Sequence, residues 1–224
     1  MRFMLVYCNG MQPHQVIVIH GSDVTASLEE YTRTLEIREV SIERLRPRAD
    51  WKQGLQAALG GGFDVLTPHM PLTGYAPYDL WKLWFSRCTE VFADEVTLVG
   101  HSLGGILLAK FFADGGVLRS RVRSLHLVAA PFGFDEASEL PEGWWLPRDL
   151  SELVAHATHA HLYHSTDDPV VPYAHAAQYH EALPGSTLHT FHDRGHFLQG
   201  EFPELVRVLT QLTESDSASG VGLR

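Results

Sequence analysis

A buried strand that turns sharply into a helix is the feature that most constrains the fold of this chain. Residues 96–99 (Val-Thr-Leu-Val) form a short β-branched run, and residues 106–112 form an apolar helical pattern. The junction between them reads Gly100-His-Ser102-Leu-Gly104. Glycine at 100 and 104 prevents a collision with the neighbouring strand or helix, so the turn can push Ser102 out at the edge of a sheet.

The pattern Gly-x-Ser-x-Gly between a strand and a helix is typical of a nucleophile elbow. A turn with an incidental serine is the alternative, because a chain with 19 glycines can contain the bare pattern by chance. The strand before the motif and the helix after it favour the elbow, which makes Ser102 the candidate nucleophile.

Short apolar strands alternate with helical patterns along most of the chain. This alternation predicts an α/β fold with a mostly parallel central sheet and helices on both faces, a three-layer sandwich. Reactive groups in such sheets lie just beyond the carboxyl ends of the strands. The predicted strands are 16–19, 63–67, 96–99, 124–129, 160–164 and 187–192, and the predicted helices are 51–59, 78–92, 103–113, 173–183 and 202–212.

Length, charge and composition bound the organisation and the partners. The 224 residues suit a single domain, predicted over 1–212, with a disordered tail over 213–224. A formal net charge of −10 argues against nucleic acid and against anionic membranes, which are themselves polyanionic. No apolar stretch reaches the roughly 18 residues of a transmembrane helix. The apolar start at 1–8 is too short for a secretory signal, and Cys8 and Cys88 give no disulfide framework, so we expect a cytoplasmic protein.

Residues 23–48 form a charged insertion after the first strand. The pattern indicates either a surface helix packed on the sheet or a mobile lid over the site. Apolar residues recur in it at helical spacing, with Glu and Arg between them: Leu28, Tyr31, Leu35, Ile42 and Leu45.

A serine hydroxyl becomes a strong nucleophile when a base accepts its proton and a third group orients that base. In this architecture the acid and then the base follow the nucleophile along the chain. The fifth predicted strand leads to Asp167 and Asp168, and His196 follows the sixth on a glycine turn. Asp168 is the preferred acid because Pro169 favours an extended backbone before it, and Asp167 is the alternative.

Acyl transfer also needs N–H donors aimed at the oxyanion of the tetrahedral intermediate. The residue after the nucleophile supplies one such amide, which points to Leu103. The loop after the first strand should supply the second, and Ser22 is the candidate. The alternative for this loop is a glycine turn without a catalytic part.

Several aromatic residues and one histidine are candidate substrate contacts around a small apolar pocket. The alternative is that the aromatic side chains belong to the core. The candidates are His20, Phe132, Trp144, Trp145 and Phe197.

The other histidines do not form a metal motif. His156, His159 and His161 are close in sequence, but no carboxylate or cysteine joins them in a recognisable arrangement. The chain has no glycine-rich dinucleotide loop and no phosphate loop. We therefore expect no metal and no cofactor. His101, beside the nucleophile, is expected to point away from it and to pack.

With these residues in place, the chain resembles the α/β-hydrolase superfamily, and within it the small serine hydrolases of the retinoblastoma-binding-protein-nine type. The resemblance implies an α/β-hydrolase fold, a triad of Ser102, Asp168 and His196, and hydrolysis of small carboxylic esters or amides without a cofactor. The motifs that carry it are Ser-Thr-Asp-Asp-Pro at 165–169, Val-Pro at 171–172, Gly-His-Phe at 195–197 and Glu-Phe at 201–202, with a weaker likeness in Pro-x-Met-Pro at 68–71.

One departure from this family concerns a protein partner. The family's pocket-protein-binding motif, Leu-x-Cys-x-Glu, corresponds here to Ser86-Arg-Cys88-Thr-Glu90, in which serine replaces the apolar leucine. We therefore expect no pocket-protein partner and a small-molecule substrate. A non-catalytic binding protein on the same fold is the alternative function, although ligand binding alone needs none of the triad groups.

Overall fold

Six parallel strands form the centre of the molecule in this computed structural model, which describes residues 12–47, 49–135, 140–156 and 159–219. The strands are β1 (His14–Ile19), β2 (Phe63–Leu66), β3 (Glu95–His101), β4 (Arg121–Val128), β5 (Ala160–Ser165) and β6 (Thr187–Phe191). Their order across the sheet is β2-β1-β3-β4-β5-β6, and each neighbouring pair is parallel. Each predicted strand is present, with small shifts at its ends.

Helices connect the strands and cover both faces of the sheet. The α-helices are α1 (Leu28–Ile37), α2 (Ile42–Leu45), α3 (Trp51–Leu59), α4 (Tyr78–Cys88), α5 (Leu103–Ala113), α6 (Ser151–His156), α7 (Ala174–Ala182) and α8 (Pro203–Ser219). Short 3-10 turns follow α4 at Thr89–Val91 and precede α6 at Glu142–Trp144.

The side chains of the central strands point alternately into two buried layers. Ile17 and Ile19 of β1 pack in one layer with residues of α4, α5 and α7. Val16 and Val18 of the same strand pack in the opposite layer with residues of α3 and α8. Because both faces are covered, the strand reads as a continuous apolar run. The predicted three-layer α/β architecture is confirmed.

The charged insertion at residues 23–48 does not form a helix packed on the sheet, which was one of its two interpretations. It forms α1 and α2, and neither helix has a buried residue. Leu28 is 60 % exposed and Ile42 is 66 % exposed, so the helices do not pack on the sheet. The faces beside β1 are already covered, by Trp51 and Leu55 of α3 on one side and by α4 on the other. The lid interpretation stays a prediction.

The last helix is longer than predicted. Helix α8 continues to Ser219, whereas a disordered tail was predicted from residue 213. Residues 213–219 contain neither Gly nor Pro, so no local signal ends the helix before Gly220. Residues 220–224 lie outside the described residues, as do residues 1–8 with Cys8. None of the described helices is both long and apolar enough to cross a membrane.

A row of histidines crosses the sheet under α3 and α8. His126 is fully buried, and its Nδ1 lies 3.0 Å from the Tyr163 hydroxyl. The rings of His126 and His161 are stacked with centroids 4.8 Å apart, and His161 Nδ1 lies 3.1 Å from His189 Nε2. Burial lowers the pKa of His161 to about 4, and it also lowers the pKa of His126 and His189. These histidines are therefore neutral in the folded protein at pH 7.

Acid should destabilise the fold through this row. Between the ordinary histidine pKa and about 4, the unfolded chain binds more protons than the folded protein, so the free energy of unfolding falls as the pH is lowered. His161→Gln should reduce this slope between pH 6 and pH 5 by up to about 1 kcal/mol per pH unit, allowing for partial solvent screening. Urea unfolding at several pH values measures the slope. A variant whose slope equals that of the parent protein would contradict the prediction.

Candidate active site

The junction of β3 and α5 holds Ser102 in a strained backbone conformation. Its φ is 53° and its ψ is −121°, in a region that residues other than glycine rarely adopt. A Cβ atom at Gly100 would lie 2.5 Å from the Gly104 carbonyl oxygen, and one at Gly104 would overlap the Ile19 carbonyl oxygen. Glycine is therefore required at both positions. The predicted elbow has the geometry that its sequence implies.

The structure brings Ser102, His196 and Asp168 together beyond the carboxyl ends of β3, β5 and β6. Ser102 Oγ lies 2.9 Å from His196 Nε2. His196 Nδ1 lies 2.8 Å from Asp168 Oδ2 and 3.1 Å from Oδ1. The carboxylate is completely buried, and the imidazole is 9 % exposed. The three groups form one continuous hydrogen-bonded line.

The loop after β5 holds the Asp168 carboxylate in its ionised form. Burial alone would raise the pKa of this carboxyl, but hydrogen bonds from His196 and from the amides of Val171 and Val170 outweigh it, and the pKa is lowered. The two amides donate to Oδ1 at 2.8 Å (Val170) and 3.0 Å (Val171). An ionised Asp168 accepts a hydrogen bond from His196 Nδ1–H. With the proton on Nδ1, the lone pair of Nε2 faces Ser102.

Asp167, the alternative acid, faces a different group. It is exposed, and its Oδ1 accepts a hydrogen bond from the Gly195 amide at 3.0 Å and another from the Ser165 hydroxyl. The Ser165 hydroxyl is the main reason that the pKa of Asp167 is lowered. Asp167 thus contacts the backbone before His196, and not the imidazole.

Side chains from separate elements hold one backbone group in each of the four consecutive residues 194–197, around the candidate base. Three of these side chains lie at the carboxyl ends of β3 and β5, and the fourth opens α3. The bonds run from Arg194 N–H to Ser165 Oγ (3.1 Å), from Gly195 N–H to Asp167 Oδ1 (3.0 Å), from His101 Nε2–H to the His196 carbonyl (2.8 Å) and from Trp51 Nε1–H to the Phe197 carbonyl (3.0 Å).

Sequence reasoning missed the parts that Trp51 and Ser165 play in this loop. His101, which was expected to pack, also bonds the loop that carries His196. No local pattern signals these contacts, because Trp51 and Phe197 are 146 residues apart in the chain.

Two backbone segments border Ser102, the candidate nucleophile, and carry the candidate oxyanion donors. Leu103 is the first residue of α5, so its N–H belongs to the first turn, whose amides have no acceptor within the helix. Gly21 lies directly against the elbow, since a Cβ atom there would be 2.8 Å from Ser102 Cβ. The loop with Ser22 therefore passes beside Ser102, and the part of the Ser22 amide as a second donor stays a prediction.

Side-chain hydrogen bonds fix the loop after β1. The Ser22 hydroxyl accepts a hydrogen bond from the Gly74 amide at 2.7 Å. His20 Nδ1–H donates to the Gly21 carbonyl at 2.9 Å, and its Nε2 accepts a hydrogen bond from the Met70 amide at 3.1 Å. Both ring nitrogens of His20 are thus used within the protein, which favours a structural part over a substrate contact.

The candidate pocket aromatics divide by burial. Phe132, Trp144 and Phe197 are 5 %, 1 % and 1 % exposed and belong to the two core clusters. Their contacts favour the core interpretation. Trp145 is partly exposed, with its indole N–H bonded to a backbone carbonyl at 2.8 Å. It remains the candidate substrate contact among the four.

Two of the histidines considered for a metal motif, His156 and His161, contact aromatic or imidazole rings. His161 is paired with His189 in the row of histidines on the sheet, and His156 stacks on Phe112 with ring centroids 4.9 Å apart. Within the described ranges, no three His, Cys, Asp or Glu side chains are grouped so that they could hold a metal ion.

Known proteins share both the sequence pattern and the fold. The family model described as serine hydrolase matches residues 45–211. The chain is 30 % identical to the serine hydrolase RBBP9 of Rattus norvegicus over 154 residues, which cover 67 % of this chain and 78 % of the relative.

Two solved structures illustrate the fold. The ydeN gene product from B. subtilis superposes with a TM-score of 0.68 at 21 % identity, covering 90 % of this chain and 99 % of that one. Est1E from Butyrivibrio proteoclasticus superposes with a TM-score of 0.58 at 15 % identity, covering 92 % and 89 %. The family match, the rat relative and these superpositions lead to one conclusion: the chain belongs to the serine hydrolase family and has the α/β-hydrolase fold.

Proposed function

We propose that this serine hydrolase cleaves small carboxylic esters or amides through an acyl-enzyme formed on Ser102. The observation that carries the proposal is the line of hydrogen bonds from Ser102 Oγ to His196 Nε2 (2.9 Å) and from His196 Nδ1 to Asp168 (2.8 Å). These are the distances that a nucleophile, its base and an orienting carboxylate require before substrate binds.

The reaction follows from these three positions. Ser102 Oγ attacks the acyl carbon while His196 Nε2 accepts the hydroxyl proton. Asp168 stabilises the imidazolium that forms, and the amides of Leu103 and Ser22 hold the oxyanion. His196 then returns the proton to the departing alcohol or amine. A water molecule then gives a proton to the same imidazole while its oxygen attacks the acyl carbon. His196 passes that proton to the departing Ser102 Oγ, and the acyl group leaves as a carboxylic acid.

The electrostatics support His196 as a base. Asp168 is ionised and completely buried, so its charge acts on the imidazole with little screening by water. The same carboxylate selects the tautomer of His196 in which Nε2 is free to accept the proton from Ser102.

Removal of the Ser102 hydroxyl should abolish both labelling and turnover. We expect a fluorophosphonate probe to label the folded protein and to leave Ser102→Ala unlabelled, because the probe bonds only to an activated hydroxyl. Ser41→Ala, at the N-cap of the insertion helix α2, where the serine side chain bonds the Arg44 amide, is the matched serine control and should label like the parent. A folded parent protein that neither labels nor hydrolyses p-nitrophenyl esters would instead support a non-catalytic binding protein.

A series of p-nitrophenyl esters of increasing acyl length, compared with the matching p-nitroanilides, tests the substrate class. A small pocket predicts that kcat/KM falls steeply as the acyl chain grows beyond a few carbons. A flat dependence on chain length would contradict the proposal of small substrates, and the ester-to-anilide ratio measures the preference for esters over amides.

Asp168 and Asp167 should differ sharply when each is changed to asparagine. Asp168→Asn removes the charge and can favour the wrong imidazole tautomer, so we expect kcat to fall by roughly 10³–10⁴-fold. Asp167→Asn keeps an oxygen for the Gly195 amide and leaves Asp168 in place, so kcat should stay within about tenfold of the parent. Steady-state ester hydrolysis measures both. If Asp167→Asn is the more damaging variant, the assignment of the acid is reversed.

A further inference from the structure

His101 precedes Ser102 in the chain, yet its side chain bonds the loop that carries His196. It is the last residue of β3 and only 3 % exposed. Its ring is enclosed by the edge of Trp51, at a centroid distance of 6.2 Å, and by His196, at 5.1 Å. The imidazole therefore stands between the start of α3 and the candidate base.

The hydrogen bond of His101 fixes its tautomer. Nε2 lies 2.8 Å from the His196 carbonyl oxygen, which can only accept, so Nε2 carries the proton and donates. In a neutral ring Nδ1 is then unprotonated, and this buried atom has no hydrogen-bond partner within the described protein. An apolar side chain would fill the same space without leaving a buried acceptor unpaired. Simple packing therefore does not explain a histidine here.

Burial and the neighbouring charges keep His101 neutral. Burial is the main cause that lowers its pKa, and the nearby Lys52 and His196 lower it further; the hydrogen bond to the His196 carbonyl and the charge of Asp168 act in the opposite direction but do not outweigh these causes. A neutral donor adds no positive charge beside His196, which itself becomes an imidazolium during the proposed reaction.

The backbone has a positive φ on both sides of His196. Glycine adopts such a φ freely at position 195 (49°), but the φ of 53° at Phe197 is unfavourable for a residue with a Cβ atom. The conformation of Phe197 therefore persists only where its surroundings hold it. His101 holds the carbonyl before Phe197, and Trp51 holds the carbonyl after it.

We infer that His101 is a positioning residue for His196: its Nε2–H fixes the peptide between His196 and Phe197, and thereby the direction in which the base projects towards Ser102. The inference rests on the proposed function, because it assigns His101 a part in placing the catalytic base. It requires no change in the chemistry at Ser102.

Two amide variants separate this part from packing. His101→Gln places its amide nitrogen near the position of Nε2 and can still donate to the His196 carbonyl, whereas the shorter amide in His101→Asn reaches only the position of Nδ1. We expect kcat of His101→Gln within about threefold of the parent, and kcat of His101→Asn lower by about 10–100-fold with a similar KM. The rate constant of fluorophosphonate labelling should fall in parallel.

Equal kcat values for the two variants would overturn the inference, whether both equal the parent or both are equally impaired. Ser102→Ala distinguishes this failure from that of the proposed function: if it retains activity the proposed function is wrong, and if it is inactive only the part of His101 is wrong.

A measurement on the unmodified protein tests the inference even if the variants fail to fold. Histidine ¹⁵N spectra should show His101 as a neutral Nε2–H tautomer from pH 5 to pH 8, and a protonated Nδ1 in this range would also overturn the inference.

Discussion

The direct contact of backbone with backbone at the elbow is the constraint on which the site depends. Gly100 and Gly104 let the end of β3, the start of α5 and the end of β1 approach to distances at which no Cβ atom fits. Ser102 keeps its positive φ because the close packing of these neighbours prevents the turn from changing to a more favourable backbone conformation. The end of β3 is paired on both sides, since Gly100 faces Ile19 and His101 faces Val128. The position of Ser102 is thus set by the centre of the sheet, and not by a loop.

The base has no such support from its own strand, and side chains supply it instead. His196 lies on an irregular turn after β6, the edge strand of the sheet. Contacts from β3, β5 and α3 hold the backbone of residues 194–197 group by group, and Arg194 is paired with Glu204 of α8. The rigid half of the site therefore carries Ser102, the candidate nucleophile, and the half that is held by hydrogen bonds carries His196, the candidate base. Loss of one such bond should act on the base first.

The strands, the elbow and the three triad candidates were predictable because each has a local signal. An apolar run marks a strand, a glycine spacing marks the elbow, and parallel strands bring their carboxyl ends to one edge. Trp51 and Ser165 were not predictable, because they contact residues that are distant in sequence. The amphipathic pattern of α1 does not show whether the helix packs on the sheet. It does not pack there because α3 and α4 already cover the two faces beside β1. Residues 213–219 resemble a polar tail in composition, yet nothing in them ends a helix.

Two buried histidines each donate a hydrogen bond to a backbone carbonyl beside one member of the Asp168–His196 pair. His101 donates from Nε2 to the carbonyl of His196, and His164 donates from Nε2 to the carbonyl of Val171, whose amide in turn bonds Asp168. Burial lowers the pKa of both histidines. A lysine or arginine at either position would bring a fixed positive charge next to the carboxylate and compete with His196 for it. A neutral imidazole can donate to a buried carbonyl without that competition, so the charge of Asp168 remains directed at the base.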